Sequence, residues 1–296
     1  MKIDLLNWLR QLPRKLDLKR RWYRFSRSPL SIVGLVIAIG SIGIALFAPF
    51  IAPYPKHAGL YVNLDDALQP PSWSHPFGTD EDGRDILSRT MFGFQYSLSM
   101  AAVVLTLVAP VGIVLGLVAG YYRGKWVDTV VMRIADVFIA VPPLVLALAV
   151  ASVLTPSTFN SMMAVSLMWW PWYTRLVYST SSALRNEYFV QAAEVTGASS
   201  GHIMFSEILP NCLGPILTKL TLDVGWVILL GSALSFVGLG AQAPTPDLGT
   251  MVNGGARFMP QFWWLSIFPA LAIVFIILGF NLLGDGIRDM FTEESR

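Results

Sequence analysis

A single cysteine, Cys212, and three widely separated histidines, His57, His75 and His202, are the only thiol and imidazole groups in this chain. One cysteine excludes an intrachain disulfide and a Cys-rich metal site. The histidines show no ligand spacing, so no metal centre is expected from this chain alone. Energy-converting motifs are missing too. The nearest approach to a phosphate loop, Gly120-Tyr-Tyr-Arg-Gly-Lys125, has the wrong glycine spacing and carries Trp126 where Ser or Thr is required. There is no zinc-protease motif and no hydrolytic triad. The expectation is a non-catalytic chain with no bound cofactor, in which Cys212 is a small packing residue.

Charge is the next scarcity. Asp, Glu, Lys and Arg make up 14% of the residues against 54% apolar types, and mean hydropathy is +0.57. That balance excludes an ordinary soluble domain. Apolar runs of about 20 residues, long enough to cross a hydrocarbon core, fall near 30–52, 96–121, 127–153, 160–178, 214–240 and 263–284. The expected fold class is all-α: a polytopic membrane protein with six transmembrane helices. The first run is too long for a signal-peptide core and no convincing cleavage site follows it, so it is expected to stay as an anchor.

Lys and Arg are unevenly placed. Nine of the 21 precede Pro29: Lys2, Arg10, Arg14, Lys15, Lys19, Arg20, Arg21, Arg24 and Arg27. Only Lys56, Arg84, Arg89 and Arg257 fall on the opposite side of the six crossings. The positive-inside tendency then places both termini in the cytoplasm. The basic arm suits the anionic headgroups of a lipid bilayer better than nucleic acid. The chain divides into a cytoplasmic arm (1–29), a first span (30–52), an extracytoplasmic loop (53–95), a core (96–289) and a cytoplasmic tail (290–296). The core holds a cytoplasmic loop at 183–211.

That loop is a polar island between apolar runs. A short amphipathic helix can run to Thr196, with Leu184, Tyr188, Ala192 and Val195 recurring on one face. Gly197 sits where a helix C′ residue needs φ > 0. Ser199 or Ser200 can cap a second short helix that carries Ile203, Phe205 and Ile208 and ends before Pro210. Two short helices bent at a glycine and pinned to the membrane form a rigid knob. Such a knob suits a soluble partner's groove.

Within the island, Gln191-Ala192-Ala193, Gly197 and Leu209-Pro210 fall at the spacing of the EAA loop. Here the chain resembles the permeases of binding-protein-dependent ABC importers, in which this loop docks on the cytoplasmic ATPase. The resemblance marks Glu187, Gln191, Ala192, Ala193, Gly197, Ile208, Leu209 and Pro210 as coupling residues. Gln191 stands where Glu is usual, and Glu207 where an apolar residue is frequent; the bend and the apolar face are unaffected.

The run His75-Pro-Phe-Gly-Thr-Asp-Glu-Asp-Gly-Arg-Asp-Ile-Leu-Ser-Arg89 is similar to the segment before the second helix in C-type subunits of the dipeptide, oligopeptide and nickel branch. Residues 233–249 resemble that branch's fifth helix and following loop, and residues 283–289 its C-terminal signature. Two departures are Gly231, where relatives often carry an acidic residue, and Phe291-Thr-Glu-Glu in place of an Asp-Pro-Arg ending. The likeness covers nearly the whole chain from Pro29 onward. It implies a MetI-like type I ABC importer permease fold in the bacterial inner membrane. The implied partners are a second homologous permease subunit, two cytoplasmic ATPase subunits that hold ATP and Mg, and an extracytoplasmic substrate-binding protein.

Other signals concern shape. A calcium loop beginning at Asp80 would need Gly at its sixth position and Glu at its twelfth, and has neither, so a turn network around Arg84 is expected instead. Gly112, Gly116 and Gly120 leave one side of the second helix bare for close approach. Pro110, Pro142-Pro143, Pro171 and Pro269 invite kinks. Arg133 and Asp136 are expected to pair on the third helix, with a substrate contact as the other reading. Asp223 lies in the inner half of the fifth helix. These three and Ser235 are the candidates for the pathway or for helix pairing. The run Trp169-Trp-Pro-Trp-Tyr173 is expected to pack.

The function expected is that of a permease subunit in an ATP-driven importer, foremost for di- or oligopeptides. Nickel, glutathione or an oligosaccharide are alternatives within that class. An ion-driven secondary carrier is the reading of another class; it predicts several membrane carboxylates or an inverted repeat, and the chain has few of the first and no clear case of the second.

Overall fold

The computed structural model describes residues 18–291, with side chains from residue 22 onward. The basic residues Lys2, Arg10, Arg14 and Lys15, and the 292–296 tail, lie outside the described residues. Ten helices are described: α1 Leu18–Arg27, α2 Pro29–Ile51, α3 Ile86–Tyr121, α4 Trp126–Ile139, α5 Pro143–Val153, α6 Thr158–Leu184, α7 Tyr188–Val195, α8 Ser200–Phe236, α9 Leu248–Ala256 and α10 Trp264–Phe291. No strand is present among the described residues.

Four of them, α2, α3, α8 and α10, are long and apolar enough to cross a membrane. The pair α4–α5 makes a fifth crossing if its two arms, bent by 85°, count as one span. Pro142 and Pro143 produce that bend, since neither can donate to a preceding carbonyl. At 27 residues α6 also has the length to span. Its serines, threonines, tryptophans and Arg175 lower its hydropathy, and interior neighbours satisfy several of them.

Helix ends overrun the apolar runs for local reasons. Asp85 caps α3 by accepting the Ser88 amide at 2.7 Å, so this helix starts ten residues before its apolar stretch. Ser28 and Pro29 start α2 in the same manner, the serine Oγ accepting from the Ser31 amide at 3.4 Å.

The core lies where small residues let helices approach. Helix α2 turns Gly34, Ala38, Ser41, Ala45 and Ala48 inward. A β-carbon at Gly34 would come within 2.5 Å of the Leu283 amide nitrogen in α10. The most extensive helix pairing is α3 with α6. It rests on the expected glycine seam: Gly112 faces Tyr173 and Trp170, Gly116 faces Thr174 and Val177, and Gly120 faces Ser181. Tyr173 is fully buried, and Trp169 and Met168 fill the layer around it. The aromatic run does pack.

At one end of the bundle, residues 53–85 form a compact polar module. Arg84 binds Asp80 at 2.8 Å and Asp82 at 2.7 Å, the turn network expected there. Gly83 holds φ +74°, and a side chain there would collide with the Asn63 carbonyl. Asp85 also meets His75 Nδ1 at 2.9 Å, and its own amide donates to His57 Nδ1 at 2.9 Å. His57 stacks between Tyr54 and Tyr61. Burial lowers the His57 pKa, against the opposing pull of Asp85; the amide it accepts likewise requires a neutral ring. Phe77 stacks on Phe268 at 4.1 Å and fixes the module to the start of α10.

Candidate functional site

At the opposite end of the bundle the chain leaves α6 at Leu184, turns through residues 185–187 and forms α7. The break before Tyr188 divides what the sequence suggested was one amphipathic helix. The expected face is also turned outward. Tyr188 is 86% exposed and Val195 89%, with Ala192 exposed between them. Val190 points inward instead, beside Ala193, Ala198 and Ile203.

Gly197 takes φ +81° as the C′ residue of α7. The Gly197 amide donates to the Glu194 carbonyl at 2.9 Å and the Ala198 amide to the Ala193 carbonyl at 3.0 Å, which closes the helix end. Ser199 supplies the next cap, accepting from the His202 amide at 3.3 Å.

The second helix does not stop before Pro210 as expected. It passes through a π turn at Ile203–Ile208, in which the Leu209 amide reaches back to the Met204 carbonyl, and continues as α8. The wider register puts Pro210 in the first turn of the following α segment, where its missing N–H is not needed. Ile203, Met204 and Ile208 are buried while Phe205 is partly exposed, so the face differs from the expected set by one residue. Cys212 packs in the same cluster with Leu117 and Val177.

The coupling candidates therefore serve two ends. Gln191, Ala192 and Glu187 lie on the exposed side, with Tyr188 and Val195. Ile208, Leu209 and Ala193 hold the knob to the bundle. A polar network missed from sequence stiffens it: Arg185 binds Glu194 at 2.6 Å and lies 4.8 Å over the Tyr121 ring. Beside it opens a cavity of about 690 Å³ lined by Tyr121, Arg123, Lys125, Arg185 and Glu194. The departure Glu207 faces His202 at 3.7 Å.

The interior candidates separate. Asp136 pairs with Arg175 of α6, not with Arg133; the helix-internal staple gives way to a bridge between α4 and α6. Arg175 was invisible as a partner because it is 39 positions away. Ser235 is buried at the far end of α8, pressed on Gly240 and hydrogen-bonded to Asp247. Near it Asp247 caps α9 through the Thr250 amide at 2.9 Å, and burial raises the Asp247 pKa against the hydrogen bonds it accepts.

Asp223 is 2% exposed and fully partnered. Trp169 Nε1 donates to it at 2.9 Å, and Lys219 Nζ lies 3.0 Å from both carboxylate oxygens. Lys219, like Arg185 and Arg175, was missed from sequence. Next to it a cavity of about 500 Å³ lies between α6, α8 and the end of α10.

A family described as binding-protein-dependent transport system inner membrane component matches residues 112–294. The chain belongs to that permease family. A second family, the N-terminal TM domain of oligopeptide transport permease C, matches residues 18–71. The permease is 41% identical to the dipeptide transport system permease protein DppC of Alkalihalophilus pseudofirmus, over 90% of this chain and 86% of that protein. It is 40% identical to the probable D,D-dipeptide transport system permease protein DdpC of Escherichia coli, over 90% and 89%. It is 41% identical to the glutathione transport system permease protein GsiD of Escherichia coli, over 90% and 88%. In shape it resembles a chain of the MetNI methionine ABC transporter in an inward-facing form. The TM-score is 0.55 at 17% identity, over 68% of this chain and 95% of that one. That likeness shows the MetI-like fold. The permease is thus a multi-pass integral membrane subunit of a bacterial ABC importer.

Proposed function

We propose that this permease carries di- or oligopeptides and couples to a cytoplasmic ATPase through α7 and the turn at Gly197. The observation that supports the docking role is the outward face of Tyr188, Ala192 and Val195, mounted on an element whose other side is buried. Exposed apolar side chains gathered on one face of a short helix suit contact with another protein. The peptide substrate is supported by the names of the similar proteins, two for dipeptides and one for glutathione, itself a tripeptide.

In this reading a second permease subunit completes the pathway, two ATPase subunits hold ATP and Mg, and an extracytoplasmic binding protein delivers the peptide. Both termini lie in the cytoplasm, on the side of α7, and the 53–85 module faces the binding protein. ATP binding closes the ATPase pair and shifts the two knobs, turning the pathway outward; hydrolysis returns it.

The test is mild-detergent purification of the tagged permease from its native membrane, with mass identification of what it retains. Wild-type recovery of an ATPase and a second permease, with selective loss of the ATPase from Tyr188→Ser/Val195→Ser, is the expected result. Retention of the ATPase by that variant would overturn the docking role.

A further inference from the structure

Two charges on one membrane helix invite a functional reading beside their part in packing. Lys219 and Asp223 are four residues apart on α8, so their ion pair joins no two helices. Lys preceding an acid at this spacing is also the weaker orientation. Asp223 does reach another helix, through the Trp169 indole. Lys219 also faces that helix, through the rings of Trp169 and Tyr173.

The surroundings of the ammonium are one-sided. Asp223 takes it at 3.0 Å. The Tyr173 ring centre lies 5.2 Å away and that of Trp169 5.8 Å, a distance at which aromatic faces attract a cation. The open side is the cavity of about 500 Å³ whose wall includes Thr218, Lys219, Leu222, Trp226 and Arg288. Its size falls in the range of small-molecule sites. An ammonium has three donors, and the hydrogen bond to Asp223 Oδ1 uses one of them. Asp223 lines the cavity as well, but its side chain is 3% exposed against 22% for Lys219, so the cation is the more accessible member of the pair. A fixed cation in a low-dielectric wall, beside apolar surface, is a receptor for a carboxylate carried on an organic body.

We infer that Lys219 receives the terminal carboxylate of a peptide on its passage through this permease, and that Asp223 is its positioning residue. This rests on the peptide reading above. Lys219 lies five residues into the apolar run that begins near 214, about 8 Å at 1.5 Å per residue, so it meets the peptide just within that end of the span.

The experiment is uptake by cells carrying the complete importer of a labelled dipeptide and of the same dipeptide as its C-terminal amide. Lys219→Met alone would strand a buried carboxylate. The informative variant is therefore Lys219→Gln/Asp223→Asn, which removes both charges, with Lys219→Arg as the conservative control. The double variant is expected to lower the ratio of free-acid to amide uptake about tenfold, the loss of one charge-assisted hydrogen bond, at unchanged membrane abundance. Lys219→Arg should keep most of that ratio. A double variant that slows both peptides equally, or neither, overturns the assignment and leaves the peptide reading standing. A wild-type importer that takes up neither peptide overturns both.

Discussion

Replacing Gly116 with alanine adds one methyl group to a helix interface that has no room for it. Its β-carbon would collide with the Thr174 carbonyl and lie 3.0 Å from both the Tyr178 nitrogen and the Val177 β-carbon. At Gly112 the same atom would lie 2.5 Å from the Tyr173 β-carbon and 2.6 Å from the Trp170 carbonyl. Comfortable carbon contacts are about 3.5–4.0 Å, so α3 and α6 must part by roughly 1 Å. Overpacking of this kind costs about 1–3 kcal/mol, while alanine returns about 0.5–1 kcal/mol of helix propensity. The net is destabilisation at either position. Gly40 and Gly43 of α2 have nothing within 4 Å of an added β-carbon, so there the propensity gain stands alone and the sign reverses. Cys212 is a built-in reporter: it is the sole thiol and buried in the cluster at the end of the same seam. A fluorogenic thiol reagent should therefore react at a lower temperature in Gly112→Ala and Gly116→Ala, by a few degrees on the scale of about 2–4 °C per kcal/mol. In Gly40→Ala and Gly43→Ala the midpoint should stay or rise. Equal midpoints in all four variants would refute the close-packed seam.

Gly197→Ala meets no neighbour within 4 Å, so its only cost is the left-handed backbone at φ +81°, about 1–2 kcal/mol. ATP-driven uptake should fall with membrane insertion unchanged, and Gly197→Asn, which tolerates that conformation, should fall less. A double-mutant cycle on Asp136 and Arg175 should give a coupling of about 0.2–1 kcal/mol, whereas a cycle on Arg133 and Asp136 should give none, read from the same thermal midpoints. For the 53–85 module, the lowered His57 pKa means the folded ring refuses a proton that an opened module accepts. Stability is then full above the ordinary histidine pKa and falls as pH drops from about 6.5 toward the lowered value. Limited proteolysis of residues 53–85 should accelerate from pH 7.5 to 5.5, a trend that His57→Gln should flatten.

Much of the architecture was legible because hydropathy and glycine spacing are local. The apolar runs gave the long helices, the four-residue glycine repeat gave the α3–α6 seam, and Pro142-Pro143 marked the broken span. Gly197 gave the bend of the knob from its position alone. What escaped depended on contacts distant in sequence. Asp136 found Arg175 across a helix pair, and Arg185 found Tyr121 and Glu194 across three segments. The outward turn of Tyr188 and Val195 escaped too: periodicity shows that a helix has an apolar face, but not whether the bundle or a partner covers it. Lys219 was overlooked because a lysine near the edge of an apolar run reads as an interfacial residue. Only the structure shows Nζ folded back on Asp223.

The π turn at Ile203–Ile208 has a mechanical consequence. By letting Pro210 pass, it keeps the segment from Ser200, beside the Gly197 bend, to Phe236 at the far end one continuous helix, with Pro215 inside it. Thirty-seven residues at 1.5 Å make a lever about 55 Å long. Tilting such a lever by about 10° at its foot displaces the tip by about 10 Å on the same rise per residue, and carries Lys219 along with it. If the knob docks on an ATPase as proposed, its displacement reaches the membrane interior through the backbone of this one helix.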